Sequence, residues 1–221
     1  LLGLGALAFE AGWQLPVATW ALALLLGMGV RSLAEGAHAL AERRRLRQAF
    51  DGAVSPPVLQ AILSGQLSPR SGGGRRPICV LSAARRASPP RSDPPPPGDV
   101  TALLNRHFEH MAQAIHQHGG TLDKFIGDGI MAFFGAPQDL PQPCAQALAA
   151  AQAMHQALAT FNAEQQRLGG PCLRMGVGLH WGESYVGYVG ARSRHAYSAI
   201  GDTVNTAARL ESVNKHLGTN V

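Results

Sequence analysis

Apolar and polar positions divide the chain into stretches of different period. Residues 1–9 are apolar, and a second uncharged apolar run covers residues 15–30 after Glu10, Gly12, Gln14 and Pro16. About 20 apolar residues cross a bilayer, and Ser32 and Leu33 extend the second run toward that length. Residues 33–50, rich in Ala, Leu, Glu and Arg, continue as helix. Ser55-Pro56-Pro57 predicts a short helix, with Ser55 as cap and Val58, Ile62 and Leu63 on its apolar face. Ile78-Cys79-Val80-Leu81 reads as a buried strand. Beyond it, residues 82–98 hold six prolines, four of them consecutive, and predict irregular or extended chain.

Regular patterning resumes at Asp99, read as a helix cap. Val100, Leu103, Leu104, Phe108, Met111 and Ile115 recur at helical spacing, and Gly119-Gly120 ends that helix. Residues 121–134 predict two strands about Gly127-Asp128-Gly129. A long helix over 141–168 follows, then strands over 173–179, 183–190 and 197–200, and a helix over 204–217. This order predicts an α+β sandwich with helices on one face of a mostly antiparallel sheet.

Charge and composition sharpen this picture. The 221 residues carry a formal net charge of +5, and the arginines cluster at 43–47 and again through the Pro/Gly-rich stretch. No aromatic residues interleave with them, so they read as a juxtamembrane cluster on the cytoplasmic side of a span, not as a nucleic-acid surface. Trp13 and Trp20 suit an interfacial belt. Cys79, Cys144 and Cys172 are too far apart in sequence for a zinc motif and read as reduced thiols. The chain begins inside an apolar stretch and reads as a fragment. Its expected organisation is a membrane segment over 1–33, a juxtamembrane helix and linker over 34–76, and a catalytic domain over 77–221, truncated at its end.

No Walker A loop, GxGxxG, HExxH or GxSxG pattern occurs. Two other segments carry candidate chemistry. Asp128 at a glycine-flanked hairpin tip can hold a hard cation, or simply form a turn. Asn205 and Arg209 stand four apart on a helix and share one face, as an amide and guanidinium clamp for sugar and anion would require, or as an ordinary solvated face would.

Together, "DKFIGDGIMAFFGAP", "GVGLHWGESYVGYVG" and "YSAIGDTVNTAARLE" resemble the class III adenylate and guanylate cyclases, in family order and spacing. The upstream part is similar to membrane-anchored bacterial members that carry a CHASE-type sensor. The resemblance implies a ferredoxin-like catalytic domain and a homodimer with active sites at the subunit interface. One chain supplies metal carboxylates to each site, and the other supplies base-reading and transition-state residues. It implies ATP as partner, Mg²⁺ or Mn²⁺ as cofactor, and a plasma or inner membrane location with the catalytic domain cytoplasmic. By the same resemblance Asp128 is the second metal carboxylate, Lys124 and Ser198 contact the purine, Asn205 orients the ribose and Arg209 stabilises charge on the α-phosphate. Lys with Ser at the two base positions implies adenine.

One position departs from the family pattern. Where the first metal carboxylate is expected, after the strand 78–81, stands Ala84, followed by Arg85 and Arg86. Two accounts fit. The chain is either a degenerate cyclase that binds nucleotide or dimerises, or the product of a compensated reading-frame slip between about residues 82 and 97.

Overall fold

The computed structural model describes residues 17–50, 55–67, 72–86, 97–191 and 194–221. The chain divides into two compact units, Leu1–Asp51 and Gly52–Val221.

In the first unit a single helix, α1, covers Val17–Phe50. Trp20, Leu22, Leu24, Leu25, Leu26, Met28, Val30 and Leu33 are all exposed along it. Arg31 and Glu35 end the apolar run and pair with each other at 2.8 Å. Among the described residues no helix is long and apolar enough to cross a membrane, because the described apolar stretch is interrupted by these two charges. The remainder of the expected span, residues 1–16, lies outside the described residues, as do the side chains of the 43–47 arginine cluster.

The second unit is built on one antiparallel sheet of five strands: β1 (Gly74–Arg86), β2 (Thr121–Ile126), β3 (Gly129–Phe134), β4 (Arg174–Ala191) and β5 (Arg194–Ile200), in the order β2-β3-β1-β4-β5. The helices are α2 (Pro56–Leu63), α3 (Pro97–Gln117), α4 (Pro143–Arg167) and α5 (Asp202–Leu217). β1 and β3 are buried on both faces, so they read as continuous apolar runs without alternation. Cys79, Leu81 and Ala83 face one core with Met111 and Ile115 of α3 and Met154, Leu158 and Phe161 of α4. Ile78 and Val80 face the other, with Phe133, Tyr197, Ala207 and Val58 of α2. Each of the larger side chains contributes about 1.5–3 kcal/mol on burial.

Several expectations need correction. The helices are not confined to one face, since α2 packs against the second core. β1 is far longer than the four residues expected, pairing with β4 as far as Arg86 opposite Arg174. The strands expected at 173–179 and 183–190 are one 18-residue strand. Gly178 and Gly182 are not its ends but the places where α5 comes close. A Cβ at Gly178 would lie 2.2 Å from the carbonyl oxygen of Ala207, and one at Gly182 would lie 2.7 Å from Thr203 Oγ1. Asp99 lies in the first turn of α3, which starts at Pro97, and there its charge favours the helix dipole. Ser55 is the N-cap of α2, but its hydroxyl makes no capping bond.

Asn214 and the segment after α5 hold this helix on the sheet. The Asn214 amide donates to the Val177 carbonyl at 2.7 Å, and Val177 N–H donates to the Asn220 carbonyl at 2.9 Å.

Candidate active site

β2 and β5 are opposite edges of the sheet in hydrogen-bonding order, yet their side chains meet. The Lys124 ammonium donates to Ser198 Oγ at 3.0 Å. The Ser198 hydroxyl in turn donates to Asp123 Oδ2 at 2.8 Å, and Ala199 N–H donates to the same oxygen at 3.3 Å. Asp123 Oδ1 lies 3.5 Å from Lys124 Nζ and makes no hydrogen bond.

Adjacent residues of a regular strand point to opposite faces. Asp123 and Lys124 can share one partner because the β2–β3 register shifts between Leu122 and Lys124, and a bulge of this kind re-aims side chains. The Asp123 side chain is fully buried, whereas that of Lys124 is about half exposed (48%). Burial raises the Asp123 carboxyl above the ordinary carboxylate range. The Ser198 hydroxyl and the Lys124 charge oppose that rise without cancelling it. The cluster therefore presents a cationic donor, held by a buried carboxylate, next to a hydroxyl.

Asp123 was not singled out in the sequence, although it sits inside one of the quoted motifs. A carboxylate among strand residues, directly before a lysine, was the available signal. Its burial depends on β5, more than 70 residues away in the chain.

Asn205 and Arg209 lie on α5, and both are exposed. The helix is fixed beneath them by Thr203, whose hydroxyl donates to the Glu183 carbonyl at 2.8 Å, and by the close approach to Gly178. Neither residue makes a side-chain hydrogen bond among the described residues, so an amide and a guanidinium stand free for an external ligand.

Asp128 occupies the β2–β3 turn beside the end of β1. Ala84 is opposite Gly129 in the β1–β3 register, and Arg85 N–H donates to the Asp128 carbonyl at 3.4 Å. Arg85 Nε also donates to Asp128 Oδ2 at 3.2 Å. Arg85 thus pairs with the carboxylate itself.

The divalent cation implied by the sequence does not fit these residues. One carboxylate of the expected pair is replaced by a methyl group, the other is engaged by a guanidinium, and no group of three His, Cys, Asp or Glu among the described residues could hold a metal ion.

Residues 86–221 match the adenylate and guanylate cyclase catalytic domain. The chain belongs to this family. The cyclase domain is 39% identical over 123 residues to adenylate cyclase 1 of Rhizobium meliloti, a match covering 56% of this chain and 18% of that protein. It is 35% identical over 185 residues to an uncharacterized protein of Mycobacterium tuberculosis, covering 84% of this chain and 30% of the relative. The chain thus spans less than a third of the length of these curated relatives. Among solved structures, the guanylyl cyclase Cya2 is 39% identical, with a TM-score of 0.61 over 65% of this chain and 73% of that one. The adenylyl cyclase CyaB from P. aeruginosa is 30% identical, with a TM-score of 0.61 over 65% and 74%. The family match begins at Arg86, after Ala84 and Arg85.

Proposed function

We propose that this cyclase domain recognises ATP and serves the formation of 3′,5′-cyclic AMP and pyrophosphate in intracellular signal transduction. The observation that carries the choice of base is the Asp123–Lys124–Ser198 cluster. The relatives include an adenylate and a guanylyl cyclase, so likeness alone does not select the nucleotide. A lysine donor beside a serine hydroxyl can donate to a ring nitrogen and accept from the exocyclic amine of adenine. Guanine presents a carbonyl in place of that amine, which sets acceptor against acceptor because the Ser198 hydroxyl proton already goes to Asp123, and an unmatched buried polar group costs about 1–3 kcal/mol.

In the reaction the ribose 3′-hydroxyl oxygen attacks the α-phosphorus and releases its proton to water, a new P–O bond closes the ring, and the bond to the pyrophosphate oxygen breaks. Asn205 orients the ribose by hydrogen bonding, and Arg209 stabilises the negative charge that develops on the α-phosphate. Loss of one such donor typically lowers turnover about 10²-fold. No step is assigned to a metal, because the residues beside Asp128 do not accommodate one.

Two chains share each site in this reading. It is supported by exposed apolar side chains near the base cluster: Phe125 and Ile126 follow Lys124, and Tyr185 and Ile200 are exposed partners across β4 and β5. Attachment to a membrane, with the catalytic domain (residues 77–221) on the cytoplasmic side, rests on the exposed leucines of α1 and the arginines that follow them.

A second reading is favoured by Ala84 and by the Arg85–Asp128 pair. Here the chain contributes its base, ribose and transition-state residues to a site whose carboxylates come from another chain, and turns over little ATP by itself. Titration of the full chain with fluorescent ATP and GTP analogues, alongside Lys124→Ala, tests the shared core of both readings. The expected result is tighter binding of the ATP analogue and loss of that preference in the variant. Equal affinity for both in the unaltered chain would overturn it.

A further inference from the structure

The C-terminal end of β1 borders a cleft of about 1030 Å³ lined by Arg85, Arg86, Arg174, His155, Glu211 and Asn220, among others. Arg86 and Arg174 are direct partners in the β1–β4 register. Like charges opposite one another destabilise a sheet. Arg86 Nε is buried and has no hydrogen-bond partner, although its terminal nitrogen donates to the Thr219 carbonyl. Glu211 is the acidic group in the lining, and its carboxyl is pushed up by burial, which Arg86 partly opposes. Burial lowers the His155 imidazole and so disfavours its charged form. Guanidinium groups therefore outnumber carboxylates along this wall, and one guanidinium nitrogen stands unsatisfied.

The third arginine leads to the same chemistry. Arg85 lines the cleft and holds Asp128 at 3.2 Å, so a positive charge already rests on the carboxylate where a cation was expected. Guanidinium forks bind phosphate oxygens bidentately, with fixed geometry and a permanent charge.

We propose that this cleft binds a polyphosphate directly. Arg86 and Arg174 share its oxygens, Arg85 takes the place of a divalent cation on Asp128, and binding proceeds without metal. Identifying the polyphosphate as the tail of ATP rests on the nucleotide reading above, whereas the arginine site itself does not.

The test is calorimetric titration of the full chain with inorganic tripolyphosphate, at constant ionic strength, first in EDTA and then in excess Mg²⁺. Binding is expected in EDTA, and Mg²⁺ should weaken it by neutralising the ligand. Arg86→Gln and Arg174→Gln should each weaken it about tenfold, the loss of one charge-assisted contact, while thermal melts confirm that both variants are folded. Binding that appears only with Mg²⁺ would overturn the proposal, as would binding left unchanged in folded arginine variants. ATP and GTP are titrated in parallel. An ATP preference without tripolyphosphate binding in EDTA sinks the arginine site and spares the base reading, and the converse pattern does the reverse.

Discussion

Asp123→Asn separates the charge of the buried carboxylate from its shape. The amide oxygen can replace Oδ2 and keep the bonds from Ser198 and Ala199, at 2.8 and 3.3 Å. The amide nitrogen then replaces Oδ1, 3.5 Å from the Lys124 ammonium. Two unit charges at that distance attract by about 5 kcal/mol at an effective dielectric of 20. Lys124 is about half exposed, however, and exposed pairs measure about 0–1 kcal/mol. The lower figure is the appropriate one. The carboxylate also carries a cost. Its folded pKa is raised by burial, so its ionised form opposes folding, and that cost is lost as pH falls through the raised folded value toward the ordinary carboxylate range. Removing the charge relieves this cost and removes the weak ion pair together, so thermal stability should change little. Lys124 nevertheless loses the group that holds it beside Ser198. ATP affinity should fall about tenfold, near 1.4 kcal/mol, and the ATP-over-GTP ratio should shrink with it. Calorimetry with both nucleotides reads the effect, and a melt of the same sample reads stability. A variant with unaltered affinity and ratio would refute the positioning role. So would a collapse in stability that accounted for the whole loss of binding.

Three further outcomes follow from the packing and the site. Gly178→Ala would drive a methyl group into the backbone of α5 at Ala207 and Glu211. Overpacking costs about 1–3 kcal/mol, and a lowered melting midpoint together with weakened nucleotide binding is expected, because Asn205 and Arg209 ride on that helix. Burial holds His107 down at about 4, and His110 and Arg85 lower it further by smaller amounts. The unfolded chain therefore takes up this proton first, and stability should decline from about pH 6.5 to pH 4 by at most about 3 kcal/mol; a urea series over that range checks it, and His107→Gln should flatten the slope. Arg209→Ala should leave ATP binding within a few fold while reducing cyclic AMP formation about 10²-fold in any pairing that turns over, as read by product chromatography.

The helices and the β2–β3 hairpin were legible because their signals are local. Helical spacing of apolar residues runs through 100–115, and Gly127-Asp128 forms a two-residue turn between strands that pair as expected. β4 was misread as two strands because Gly178 and Gly182 look the same whether they end a strand or admit a helix. Only the position of α5 distinguishes the two. The site shows the same division. Lys124, Ser198, Asn205 and Arg209 lie in motifs and could be named from the sequence. Asp123 could not, since its importance comes from a register shift and from contact with a distant strand. The fate of Asp128 was equally hidden, because its partner Arg85 is 43 residues away.

We propose that this cyclase domain keeps the residues that read ATP and stabilise its cyclisation while its carboxylate side is incomplete. Ala84 lies next to Asp128 through its register partner Gly129, and its Cβ is 3.7 Å from where a Cβ on that glycine would stand. Ala84→Asp combined with Arg85→Ala would restore a carboxylate pair and free Asp128, and close like charges of that kind favour a bound cation. The decisive measurement is cyclic nucleotide formation by this double variant and by the unaltered chain, in Mn²⁺, from ATP and from GTP. The variant should produce cyclic AMP in clear excess over the unaltered chain and little cyclic GMP. Absence of product from both proteins with folding intact, or a preference for GTP, would contradict the account.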